Sequence, residues 1–552
     1  MRTLRISLFF AALMAASLTT AAYGQTFSVV YNFGTKAGDP TSPQYSGILA
    51  QGRDGNIYGA SFGGTNGAGG VFKLTPAGKL TVPYSFTGGS DGGNPDGGLT
   101  LGTDGNFYGT TVQGGTSSWG TVFKVTPSGT LTTLYNFTNG IDGSQPYAPP
   151  VQGNDGNFYG TTTNGSPSGA GTIYKITPTG TFTPLYQFDV THGTSPFSPL
   201  VLGSDGNFYG TAETGGANGD GVVFRITSAG KLTVLYNFDN THGRGPFSPV
   251  VQGTDGNFYG TTLNGGTHNA GVVFKMTPSG AFTVLHNMNG TTEGNGPYAG
   301  LVQATDGNFY GVNANGGKAS TGCPSGCGVL FKVTPTGTFS VLHNFDGPTG
   351  NTPFVTPFQH TNGLVYGDTQ QGGTGNVSPC ATGSCGVVYS WKQTLPSFVR
   401  AVTNSGKVGK VIEFLGGGFT GTTAVSFNGT PATFTVASAT YMTATIPAGA
   451  TTGSVTVTTP GGVLTSNKKF RVTPQLTSFT PPTGPVGTVV TITGVSLTKT
   501  TKISFGGVAA TTFTVNSDTK VTVTVPTGAL TGKIVVTTSG GTATSATSFT
   551  VM

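Results

Sequence analysis

The sequence predicts an all-β chain whose main body is a ring of seven four-stranded sheets, a seven-bladed β-propeller, with two smaller β domains behind it. Three observations carry this. One phrase recurs every 50 or 51 residues along the first two-thirds of the chain. Glycine (94) and proline (33) punctuate short runs of Thr, Val, Phe and Tyr throughout the 552 residues, a composition that excludes long helices. After Lys392 the texture changes to Thr/Val-rich alternation in two related segments.

The repeat is read most clearly from its turns. The string DGNxYG begins at Asp54, Asp104, Asp155, Asp205, Asp255 and Asp306, and a degenerate seventh copy starts at Asn362. Asp-Gly tolerates the positive φ of a tight hairpin, so this string joins a first strand (a) to a second (b). Thr-Pro-Ser-Gly or Thr-Pro-Thr-Gly joins the third strand (c) to the fourth (d), with proline presetting the turn and glycine closing it. Each repeat is therefore an up-and-down sheet that cannot bury both faces alone. A β-solenoid is disfavoured, because its coils repeat in far fewer residues.

Six repeats end in a fourth-strand phrase, at Tyr84, Tyr135, Tyr186, Tyr236, His286 and His343; the seventh stops near Trp391 without one. Residues 26–33, TFSVVYNF, have the fourth-strand pattern and no a, b or c strand before them. The N-terminal segment is expected to complete blade seven, antiparallel to residues 387–391.

The first 24 residues read as a secretory signal peptide. Arg2 and Arg5 precede an apolar run over 6–18, and Ala22-Tyr23-Gly24 gives a small-x-small cleavage pattern before Gln25. No later segment is apolar enough to span a bilayer. Only 8% of residues are charged, and the net charge of +6 is spread thinly, without the dense basic patch a nucleic acid requires. The expected location is secreted, extracellular or cell-surface, with no transmembrane anchor in the mature chain and no nucleic-acid partner.

DGNFYGTT followed by GTVFKVTPSGTLTTLYNF resembles the GloVer-type tandem repeat of bacterial exported proteins, and its strand plan is similar to that of NHL-type propellers. That resemblance implies export and no activity that can be carried over. The segments 394–472 and 473–552 share VSFNGTPATFTV with ISFGGVAATTFTV and resemble IPT/TIG immunoglobulin-like domains, two-sheet β-sandwiches. In the second, Gly494-Val495-Ser496-Leu497 stands where the first has Gly416-Gly417-Gly418-Phe419. The expected organisation is thus 1–24 signal peptide, 25–393 propeller, and two sandwiches acting as a spacer or docking arm.

Candidate function lies with the long d–a and b–c loops, which emerge on one face. At the starts of the inner strands stand Tyr45, Tyr147, Phe197, Phe247, Tyr298 and Phe354, with Asp96 in the remaining blade. These rings could stack on sugars or hold peptide groups; packing between blades as core is the commoner fate of aromatics. His192, His242 and His268 fall in loops of the same face, with Asp189 and Asp239 beside the first two, yet their spacing matches no metal motif and duplicated loops explain the likeness. The repeated DGN aspartates read as turn residues rather than metal ligands, each with a base nearby in strand c (Lys73, Lys124, Lys175, Arg225, Lys275, Lys332). In an exported chain Cys323, Cys327, Cys380 and Cys385 read as disulfides, CPSGC and CATGSC suggesting Cys323 with Cys327 and Cys380 with Cys385; a zinc site is the alternative. No nucleophile, phosphate-loop or cofactor motif is present. The reading is a binding or scaffold protein for a glycan or an extracellular protein, with a propeller-type hydrolase or lyase acting on a polysaccharide or lactone as the alternative.

Overall fold

The computed structural model describes residues 25–43, 48–377, 380, 385–393 and 395–552. The expected signal peptide, and Tyr45 of the aromatic series, lie outside the described residues. Among the described residues every regular element is a β-strand. The first two-thirds form seven four-stranded sheets, one of which gains a two-residue fifth strand, Pro40–Thr41. Blade four is representative: Val201–Leu202, Phe208–Ala212, Val222–Ile226 and Leu232–Asn237, hydrogen-bonded in that order.

The repeated phrase supplies the contacts between blades as well as those within them. The tyrosine of DGNxYG stacks on the phenylalanine that begins strand b of the next blade: Tyr58 on Phe107 at 4.1 Å, Tyr108 on Phe158 at 3.8 Å and Tyr209 on Phe258 at 3.9 Å. Its hydroxyl donates to its own turn aspartate, Tyr58 to Asp54 at 2.8 Å, and that carboxylate also accepts from Asn56. The aspartate thus ties the hairpin to the buried ring, a structural task repeated in six blades. Of the six bases, Lys73 and Lys275 reach their aspartates (2.7 and 3.0 Å), while Lys124 donates instead to the Pro178 carbonyl. In blade seven Asn362 takes the aspartate's place and donates to the Tyr366 hydroxyl.

The ring closes across the chain ends. Strand Thr26–Asn32 pairs antiparallel with Val387–Lys392, from Thr26 opposite Lys392 to Asn32 opposite Val387. Phe27 stacks on His343 of blade six at 3.6 Å, and Phe33, fully buried, meets Phe72 of blade one at 5.5 Å. Gln51 of blade one and Thr361 of blade seven exchange two hydrogen bonds.

The two C-terminal segments are sandwiches, cored by Ile412, Phe414, Phe427 and Phe470 and by Ile492, Ile503, Phe505 and Phe549. The departure at 494–497 is conformationally neutral. Ser496 adopts the left-handed φ of 61° that Gly418 has at 68°, its N–H donating to Asp518, and Leu497 is buried as Phe419 is. The first sandwich docks on the turn face of the ring. Arg53 of the first DGN turn forms a bidentate pair with Glu413 (2.7 Å), lies over Tyr441 and presents its carbonyl to Thr440. Ser405 bonds Asn154, Arg471 bonds the Ser204 carbonyl, and the Phe398 N–H bonds the Thr361 carbonyl.

Candidate binding face

The opposite, loop face is organised by a device invisible in any single repeat. Every d–a loop enters its inner strand through a residue of positive φ followed by proline: Ser42, Asn94, Gln145, Ser195, Gly245, Gly296 and Thr352 precede Pro43, Pro95, Pro146, Pro196, Pro246, Pro297 and Pro353. Five of these are not glycine and stand at φ 48–56°, a region costly for residues with a Cβ. Hydrogen bonds hold them there. The Gln145 N–H donates to the Trp119 carbonyl in the preceding blade's b–c loop, and its carbonyl accepts from Thr163 at the end of its own strand b. The same clasp joins Asn94 to Ala68, Ser195 to Ala170, Gly245 to Asp220, Thr352 to Cys327 and Ser42 to Cys385. In five blades the proline, together with a carbonyl at the end of strand b, crowds the space where a Cβ on the glycine opening the preceding strand c would lie, as Pro146 and the Thr111 carbonyl do over Gly120, which favours glycine there.

Behind these clasps the aromatic residues meet one another around the axis. Tyr147 and Phe197 are 5.2 Å apart, Phe197 and Phe247 4.6 Å, Phe247 and Tyr298 5.4 Å, and Tyr298 and Phe354 4.8 Å. Phe247 and Phe354 are buried at 6% and 7% exposure, while Tyr147, Phe197 and Tyr298 keep part of their surface in water. The result is an aromatic arc over five consecutive blades, partly core and partly open. Asp96 stands at the equivalent position of blade two, only 6% exposed. Burial pushes its carboxyl up to about 8, so near neutral pH it retains its proton in large part and can donate a hydrogen bond.

The histidines do not join this arc through any bond among the described residues. His192 and His242 pair with Asp189 and Asp239 of their own turns, each at 2.8 Å and about half exposed. Hydrogen bonds from Thr191 and His192 hold the Asp189 carboxyl down at about 2. His268 bonds its neighbour Thr267. These aspartates cap the d–a turns, as Asp142 does by accepting from the Thr138 N–H. Among the described residues no three His, Cys, Asp or Glu side chains group as metal ligands. The cysteines form two local disulfides, Cys323–Cys327 and Cys380–Cys385, with Cα atoms 5.4 and 5.5 Å apart.

Fold and face together define a repeat-built propeller bearing two immunoglobulin-like sandwiches. The Gloeobacter/Verrucomicrobia repeat matches residues 16–203 and 191–381, and the chain belongs to that repeat family. The IPT/TIG domain matches 396–472 and 474–551. No curated protein matches the chain. Similar solved structures include SGBP-B from a complex xyloglucan utilization locus in Bacteroides uniformis, at 25% identity and TM-score 0.14, covering 28% of this chain and 48% of that one. The surface glycan-binding protein PbSGBP-B from Prevotella bryantii shows 17% identity and TM-score 0.22, covering 28% and 41%. A fungal alcohol oxidase of the AA5 family, in complex with copper, shows 15% identity and TM-score 0.45, covering 78% and 98%. The chain spans about half the length of the first of these (48%), and at these scores the likeness carries no functional weight.

Proposed function

We propose that the protein is an exported or surface-displayed binding protein whose ligand, a glycan, seats on the aromatic arc of the loop face. The observation that carries this reading is the continuity of the arc: five rings in mutual contact, three with surface open to water, on a frame of inter-blade clasps. Sugar rings present apolar C–H faces to such a surface and hydroxyls at their edges. Asp96, largely protonated near neutral pH, supplies a donor to those hydroxyls. The two disulfides accord with an oxidising compartment outside the cytosol.

The test is a glycan array probed with the protein, with and without calcium, alongside Tyr147→Ala and Tyr298→Ala. Saturable binding that falls about tenfold or more in either variant, with the melting temperature nearly unchanged, is the expected result. A large loss of stability without a selective binding defect assigns the tyrosines to the core and overturns the reading. Cleavage of a bound glycan would move it to the hydrolase or lyase class, with Asp96 the first acid to replace.

A further inference from the structure

The turn face of the ring encloses a second, chemically different space. A chamber of about 310 Å³ lies on the propeller axis, walled by the inner strands of blades one to four and closed by the first sandwich through Arg400, Asn404 and Arg471. An adjoining hollow of about 200 Å³ shares Val201, Leu202, Asn404 and Arg471 and adds Lys468 and Lys469. Among the described residues four cationic side chains line the two spaces and no Asp or Glu lines either.

Arg400 is the residue this arrangement leaves unexplained. Its guanidinium lies 5.5 Å over the Phe358 ring, and among the described residues it has no ion-pair or hydrogen-bond partner. The charged or titratable groups that act on it, Lys468 and His360, carry no negative charge. Arg471 donates to the Ser204 carbonyl and is influenced by Asp205, a carboxylate already accepting from Asn207 and Tyr209. Desolvation disfavours the charged form of both guanidiniums. Arg400 and Arg471 are half-buried, an arginine keeps its charge in a protein, and a half-buried cation with no counter-ion beside it gains from an anion that binds in the chamber.

We propose that the axial chamber is an anion site, taking a small oxyanion-bearing solute, a sugar carboxylate or a phosphate, on the guanidinium fork of Arg400 with Arg471 and Lys468 around it. The planar fork matches a carboxylate or phosphate in bidentate geometry. The chamber's volume falls at the small end of ligand sites, about 300 Å³, which suits a monosaccharide-sized acid. The site stands apart from the aromatic arc, at the other end of the axis.

The experiment is calorimetric titration and thermal melting of the full chain with sodium glucuronate and with sodium phosphate, against glucose and against sodium chloride at matched ionic strength. At least one oxyanion is expected to bind and raise the melting temperature where glucose and chloride do not; preference for glucuronate assigns a sugar acid, preference for phosphate a phosphate group. Arg400→Gln should weaken that binding about tenfold or more without lowering the melting temperature of the unliganded protein, since it removes a half-buried cation that has no ion-pair partner among the described residues. Arg400→Lys, which keeps the charge and loses the fork, should fall between. Tyr147→Ala should leave anion binding unchanged, which separates this site from the arc. Oxyanions no better than chloride, unchanged binding in Arg400→Gln, or a markedly less stable Arg400→Gln would each overturn the proposal.

Discussion

Blade four and blade seven have the same four-stranded architecture built in two ways. Blade four is written in one run of sequence, 201–237, and every contact it needs is repeated in its neighbours. Blade seven takes three strands from 358–392 and its outer strand from 26–32, more than 300 residues away. It has also lost the turn aspartate, for which Asn362 stands. What it gains is concentrated at its two borders. The carbonyls of Cys327 and Cys385, each in a disulfide-closed loop, accept the clasp bonds of Thr352 and Ser42 into blades seven and one. A repeat can specify a blade, whereas a ring needs a seam, and the seam is where this chain departs from its own repeat.

The largest test of that contrast is removal of the N-terminal strand. A chain beginning at Ala37 loses Phe27 from its stack on His343 and the fully buried Phe33, and exposes the edge of Val387–Lys392. Scanning calorimetry should show it melting roughly 10 °C or more below a chain beginning at Gln25, with unfolding that reaches blades one and six. Equal melting of the two would show that blade seven needs no partner from the other end.

A smaller effect comes from acid. Burial holds the His343 imidazole down at about 4, against 6.5 when unfolded. Between those values the unfolded chain binds a proton that the folded chain resists, so stability is present above pH 6.5 and falls as the pH drops towards 4. Blades one to four carry tyrosine at this position. His343→Tyr should remove about 1–2 kcal/mol of that acid loss, water screening part of the shift. Denaturant titrations of both proteins at pH 7 and pH 4.5 measure it, and parallel losses would sink the assignment.

The disulfides span sequence separations of only 4 and 5, so replacing Cys323 and Cys327 by serine should cost about 2 kcal/mol or less in global stability. Hydrogen exchange should nevertheless quicken at the Thr352 amide while the equivalent Gln145 and Ser195 amides keep their protection. Uniform exchange at all three would show that the disulfide does nothing special for the seam.

Much of the ring was legible because its contacts are periodic. DGNxYG announces both the hairpin and the tyrosine that bridges to the next blade, and the orphan TFSVVYNF announces the closure. CPSGC and CATGSC are short enough for their cysteines to meet locally. The aromatic series could be located from sequence, but not divided into buried and open rings, since that depends on how closely successive blades bring Phe247 and Phe354 to their neighbours.

The rest was decided by groups brought together only in three dimensions. Gln145 and Thr352 have no intrinsic reason to turn left-handed before a proline; bonds from neighbouring strands and loops hold them there. Arg53 is a charge that no other copy of the repeat carries at its position, where Thr103, Asn154 and Ser204 stand in the next three blades, so no periodicity announces that the first sandwich, through Glu413, Arg400 and Arg471, seals the axis or that Arg400 is left without an ion-pair partner there. Each repeat's fold is written in its own fifty residues, because strand alternation and turn chemistry act over short stretches of chain. The seam, the cap and the charged chamber depend on residues hundreds of positions apart, whose energies exist only once the ring has closed.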